Sequence, residues 1–281
     1  MRRATGQPSR IGLALGGGGA RRLAHLHVLE AFDELGVRPA AIAGASIGSV
    51  FGAGYAAGLT ALELRAHASA MLKNRSVVVA KLLKARVGRI TDLFGAGSRN
   101  PALIDAEKLL PLFLPERVPA TFEELEIPFL AIATDFFGHV EIVISDGPLL
   151  PAIAASSAIP GIFRPVLHKG LTLIDGAMTN PLPFDVLSDK VDSVIAVDVT
   201  GGPVVSGRAF PNAFETMLGA TQILQATIIG AKVAGGGPDA LIRPDVRGVT
   251  LLDFFKTTSA LRSSDAAKDE AKRAIERLIA G

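Results

Sequence analysis

The sequence predicts an α/β fold with a mostly parallel central sheet, and three observations carry that expectation. The apolar run Ile11–Leu15 meets four glycines at 16–19, and a helical pattern follows. A second apolar run meets Gly44-Ala45-Ser46-Ile47-Gly48, and a small-residue helical pattern follows that. Further on, the apolar residues 171–174 end in Asp175-Gly176-Ala177, where a strand gives way to a loop. Catalytic groups of open α/β sheets sit at such strand ends.

Residues 1–10 are polar, lack the apolar core of a signal peptide and read as a flexible tail, with 11–281 a single domain. A helix is predicted over 20–35, because Ala24, His27, Val28, Ala31 and Leu35 share one face and Gly36 suits its C-terminal stop. The glycines before it can present backbone amides to an anion. A dinucleotide fingerprint would need a third glycine where Arg21 or Arg22 stands, and no acidic residue ends the second strand. An oxyanion hole fits better, since the next strand delivers a serine beside the loop.

Residues 40–62 carry no charge and are long enough to span a bilayer. Their Gly, Ala and Ser content favours a buried strand and a buried helix instead. On such a turn Ser46 projects its Oγ clear of the sheet, while Gly44 and Gly48 let the backbone pass. The new helix N-terminus favours negative charge nearby.

Residues 60–100 are expected to be helical. Lys73, Arg75, Lys81, Lys84, Arg86 and Arg89 could bring this segment to an anionic membrane surface, although a plain solvated helix is the favoured reading. Strands are expected over 127–134 and 140–144 about a turn at 135–139. A helix over 148–158, strands over 171–174 and 193–199, and helices over 214–232 and 264–279 complete the chain.

Lys and Arg total 29 against 27 Asp and Glu, a net charge of +2 that is too balanced to argue for nucleic acid. Cysteine is absent, which excludes a disulfide framework, a thiolate nucleophile and a Cys-based zinc site, and suits a cytoplasmic protein. The histidines are His25, His27, His67, His139 and His168. An α/β-hydrolase triad runs serine, acid, histidine, so it would have to draft His139 or His168 with Asp135. Asp175 can instead take the Ser46 proton directly. An ordinary aspartate near pKa 3.9 is a weak base, so the oxyanion hole must carry much of the rate. With no imidazole in the dyad, no essential group is expected to titrate near 6.5.

Together these pieces resemble the patatin-like phospholipases of the short bacterial type, over about residues 11–260. The family's Gly-Gly-Gly-x-Arg-Gly loop is similar to Gly17-Gly18-Gly19-Ala20-Arg21-Arg22. Its Gly-x-Ser-x-Gly matches residues 44–48, and its Asp-Gly-Gly/Ala matches Asp175-Gly176-Ala177. Its Ala-Ser-x-Ala-x-Pro segment is similar to Ala155-Ser156-Ser157-Ala158-Ile159-Pro160.

The resemblance implies a three-layer α/β/α patatin-like fold. It implies a lipid acyl hydrolase that cleaves phospholipid or lysophospholipid esters through an acyl-enzyme. Ser46 would be the nucleophile, Asp175 the base, and Gly17, Gly18 and Gly19 the oxyanion hole. No metal and no cofactor is implied, and the lipid ester is the implied partner, met in the cytoplasm or peripherally at a membrane. The chain departs from the family at Arg22, which is expected to open the helix with its side chain in solvent. Two other readings keep the same site: an acyltransferase that passes the acyl group to an acceptor other than water, and a lipid-binding pseudoenzyme. A fluorophosphonate probe separates the last from both enzymes.

Overall fold

The structure is a computed structural model and describes residues 9–18, 23–73, 86–87, 103–203, 210–245 and 265–280. In chain order the strands are β1 (Ile11–Leu15), β2 (Ala41–Ala45), β3 (Arg86–Val87), β4 (Leu103–Ile104) and β5 (Phe129–Asp135). They continue with β6 (Val140–Ile144), β7 (Val166–His168), β8 (Leu171–Asp175), β9 (Ser193–Val197) and β10 (Ala240–Ile242). The helices are α1 (Leu23–Glu34), α2 (Ile47–Ala56), α3 (Ala61–Lys73), α4 (Ala106–Leu109), α5 (Leu149–Ser156), α6 (Ala213–Gly236) and α7 (Asp265–Ala280).

One eight-stranded sheet runs β10-β9-β1-β2-β5-β8-β7, and β6 also pairs with β5. The strands from β10 to β5 are parallel, whereas β6, β8 and β7 join antiparallel. β1 and β2 are buried along their whole length, which explains sequences that are apolar throughout rather than alternating. Successive side chains of a strand point to opposite faces, and the two faces here carry different cores. Leu13, Leu15, Ile42, Ile195 and Val197 pack with α1, α2 and α7 on one side. Ala14, Ala43, Leu130 and Ala196 meet Leu182, Leu187 and Ile229 on the other, where α6 lies. The result is the expected three-layer arrangement.

Two features of the sheet position the site. Leu15 lies opposite Gly44, so the glycine loop leaves β1 beside the turn that ends β2. β2 and β8 approach each other end to end along β5, with Ala45 opposite Ile132 and Asp175 opposite Ala133.

Of the helix expected over 60–100, α3 accounts for Ala61–Lys73, and residues 74–85 and 88–100 lie outside the described residues. Arg86–Val87 forms a short strand paired antiparallel with Leu103–Ile104, in keeping with a β-branched valine followed by glycine. Arg75, Lys81, Lys84 and Arg89 lie outside the described residues, as do 1–8 of the expected tail. Helix α1 closes where expected, with Gly36 at φ +64°.

Candidate active site

Strand β2 ends at Ala45 and α2 begins at Ile47, so Ser46 alone makes the turn, at φ 54° and ψ −124°. Side chains other than glycine rarely adopt that conformation, which costs roughly 1–3 kcal/mol and persists only where the surroundings impose it. Those surroundings are specific. The Ser46 N–H donates to Ser156 Oγ at 3.0 Å. The Ser46 carbonyl accepts from Ser49 Oγ at 2.6 Å and from Ser157 Oγ at 3.2 Å. A β-carbon at Gly48 would run into the Leu15 carbonyl oxygen, and one at Gly44 would sit 2.6 Å from the Gly48 carbonyl oxygen. Both motif glycines are therefore needed for close backbone approach.

Ser46 Oγ donates to Asp175 Oδ2 at 2.6 Å. The other carboxylate oxygen, Oδ1, accepts from the Ala177 N–H at 2.8 Å, which fixes the plane of the group. The Asp175 backbone is held as well: its N–H donates to the Ala158 carbonyl at 3.0 Å, and its carbonyl accepts from Thr134 Oγ1 at 3.0 Å. A β-carbon at Gly176 would clash with the Ile132 carbonyl, so this motif too needs its glycine.

Asp175 is 1% exposed. Burial pushes its carboxyl up to about 7, against the lowering effect of hydrogen bonds from Ser46 and Ala177. The expectation that no group of the dyad titrates near neutrality is thereby corrected, because the aspartate itself does. A base near pKa 7 is also better matched to a hydroxyl at neutral pH than an ordinary aspartate.

The glycine loop lies against both groups. A β-carbon at Gly17 would sit 2.9 Å from Ala177 Cβ and 3.4 Å from Ser46 Cβ. The Gly17 N–H, expected to face an oxyanion, donates instead to the Pro181 carbonyl at 3.0 Å. Gly18 packs on Val199, whose carbonyl a β-carbon there would approach to 2.5 Å. Gly19, Arg21 and Arg22 lie outside the described residues. His25 Nε2 donates to the Gly16 carbonyl at 2.9 Å, and burial lowers its pKa to about 4, so it holds the loop as a neutral ring. Neither His139, at the turn after β5, nor His168, at the end of β7, is bonded to Ser46 or Asp175.

Next to Ser46 a small, mostly apolar pocket of about 30 Å³ lies between α2 and α3, lined by Ile47, Val50, Phe51, Leu64, His67, Ala68 and Met71, with Phe113 and Pro115. The Ile47 N–H belongs to the first turn of α2, where backbone donors lack intrahelical partners. Sequence reasoning passed over Ser49 and Thr134. Ser156 and Ser157 sat in a segment already compared with the family, but their bonds to the Ser46 backbone were not foreseen.

A family profile described as patatin-like phospholipase matches residues 13–188, from β1 to beyond Asp175. An uncharacterized NTE family protein of Mycobacterium tuberculosis is 37% identical over 205 residues, 72% of this chain and 53% of that protein. Patatin-like phospholipase domain-containing protein 6 of Homo sapiens is 32% identical over 192 residues, 67% of this chain and 13% of that protein. The chain thus spans about half the length of the mycobacterial relatives it matches. The crystal structure of VipD from Legionella pneumophila has a similar fold, with a TM-score of 0.53 at 16% identity, over 96% of this chain and 67% of that one.

Proposed function

The chain belongs to the patatin-like phospholipase family, and from that premise we propose that it is a serine acyl hydrolase of phospholipid or lysophospholipid esters. The observation that carries the reading is the 2.6 Å hydrogen bond from Ser46 Oγ to the buried Asp175 carboxylate. Asp175 accepts the hydroxyl proton as Ser46 Oγ attacks the ester carbonyl carbon. The carbonyl oxygen becomes an oxyanion, met by the amides of Gly18 and Ile47 and by the positive end of α2. Gly19 is assigned the same role from the motif alone.

As the tetrahedral intermediate collapses, the ester C–O bond breaks and the departing alcohol takes the proton from Asp175. The acyl group remains on Ser46. Water then attacks, gives its proton to Asp175, and releases the fatty acid while the serine recovers its proton. The small pocket between α2 and α3 includes Ile47, the residue after the proposed nucleophile, and its mostly apolar lining is compatible with the start of an acyl chain. The sheet draws its strands from residues 11–242, which supports reading 11–281 as one domain.

A fluorophosphonate probe, followed by mass spectrometry of the labelled peptide, tests the assignment. Modification of Ser46, abolished in Asp175→Asn, is the expected result. An unlabelled protein, or a label on another serine, overturns it.

A further inference from the structure

The turn between β5 and β6 carries two phenylalanines that the fold leaves uncovered. Phe136 is 50% and Phe137 73% exposed, and their rings meet edge to face with centroids 5.1 Å apart. The turn is a defined one. The Phe137 N–H donates to Asp135 Oδ1 at 3.2 Å, and the His139 N–H to the Asp135 carbonyl at 2.9 Å. The apolar surface continues sideways. The Phe136 N–H donates to the Thr172 carbonyl, and Leu167, itself 76% exposed, lies opposite Thr172 in the ladder. Val140 on the returning strand is 51% exposed. A pair of touching, exposed rings with an exposed leucine in the same row marks a partner rather than solvent.

The position of the tip selects the partner. β5 runs parallel to β2 with Ile132 opposite Ala45, so both strands end at the same edge of the sheet. Phe136 lies beyond the level of Ser46 on that edge by roughly 10 Å, at about 3.3 Å per residue. We propose that the Phe136–Phe137 tip enters the interface of a lipid bilayer and seats the Ser46 edge on it. The choice of a bilayer rests on the lipid hydrolase reading; the exposed rings do not. The attachment is apolar, so it holds on neutral phosphatidylcholine and at high salt, unlike attachment through a basic segment.

The chain contains no tryptophan, so Phe137→Trp installs a single indole reporter. The full chain, carrying Ser46→Ala so that the lipid is not consumed, is mixed with phosphatidylcholine vesicles. The indole emission is expected to shift to the blue on vesicle addition, equally at low and high salt. In sedimentation, Phe137→Ser in the same background is expected to bind about tenfold more weakly, since burying a phenylalanine contributes that order of affinity. An unmoved spectrum, undiminished binding by Phe137→Ser, or no vesicle binding by the parent chain each overturns the proposal. A blue shift that grows with protein concentration in the absence of lipid gives the tip to a second copy of the chain and overturns it too. With Ser46 intact, Phe137→Ser should still hydrolyse a soluble short-chain ester. Failure of that hydrolysis in the unmutated chain counts against the hydrolase reading and leaves the vesicle result standing.

Discussion

Asp175 closes β8 and Asp185 lies in the connection from β8 to β9, and their carboxyls are treated in opposite ways. Asp175 meets only neutral donors, the Ser46 hydroxyl and the Ala177 amide, so burial wins and raises its pKa to about 7. Asp185 also loses solvation, but Lys232 Nζ reaches it at 2.5 Å and Asn180 Nδ2 at 3.0 Å, and together they hold its carboxyl lowered. Lys232 donates to Asn180 as well, at 2.7 Å. One carboxylate is thus a structural tie and the other, in the proposed mechanism, a base. The difference is a cation supplied in one place and withheld in the other. The tie is not idle, because the connection it secures includes Pro181, whose carbonyl holds Gly17.

The strongest way to break the contrast is to remove what Asp175 acts on. Ser46→Ala should lower ester turnover by at least about four orders of magnitude, as loss of a nucleophile does elsewhere. Its melting temperature should move little, since the strained turn keeps the backbone bonds to Ser156, Ser49 and Ser157. Turnover near the parent rate would end the assignment.

Asp175→Asn should lower turnover by about three orders of magnitude or more, and should stabilise the fold at alkaline pH. The native carboxyl titrates near 7, the unfolded one near 3.9. Between those values the native state binds more protons, so stability falls as pH rises through that window and stays reduced above it. Asparagine removes that penalty, of the order of a few kcal/mol. Denaturant melts of parent and variant at pH 5 and pH 8 would show the gap widening with pH. A gap that narrows would mean the carboxylate is satisfied after all.

In the parent protein, turnover should climb with pH through about 7 as Asp175 loses its proton. The same limb should survive in His139→Gln and His168→Gln, each within a few-fold of parental activity. A limb that disappears with one imidazole would replace the dyad by a triad. The smallest effect belongs to the tie. Asp185→Asn should cost about 1 kcal/mol of stability, discounted for a partly exposed pair, with turnover within a few-fold. Equal losses of activity at 185 and 175 would erase the distinction between them.

Much of the fold could be read in advance because strands buried on both faces, such as Ile11–Leu15, leave unbroken apolar runs. Val140–Ile144 also falls where expected, although only Ile144 of it is buried and it carries Glu141. β7 and β10 span too few residues for any periodicity to show. Arg86–Val87, expected within a helix, forms a strand instead, because helical and strand patterns overlap in short apolar runs. Ser46 and Asp175 were legible because the motif order and the strand ends pointed to both. The basicity of Asp175 was not, since it depends on burial created by residues far away in sequence. Nor was the engagement of the Gly17 amide, whose acceptor Pro181 lies in the connection on the far side of β8.

The end-to-end meeting of β2 and β8 has a consequence for how activity is lost. Ala45 and Asp175 face successive rungs of β5, Ile132 and Ala133, so the ladder itself sets the spacing between Ser46 and Asp175. A slip of one rung would carry Asp175 about 3.3 Å along the strand and turn its side chain to the opposite face. A half-correct register therefore gives no half-active enzyme. On the proposed mechanism each molecule would be either fully assembled or silent, and in a heating experiment residual turnover would count the assembled molecules. Catalysis and sheet structure should therefore fade along one curve.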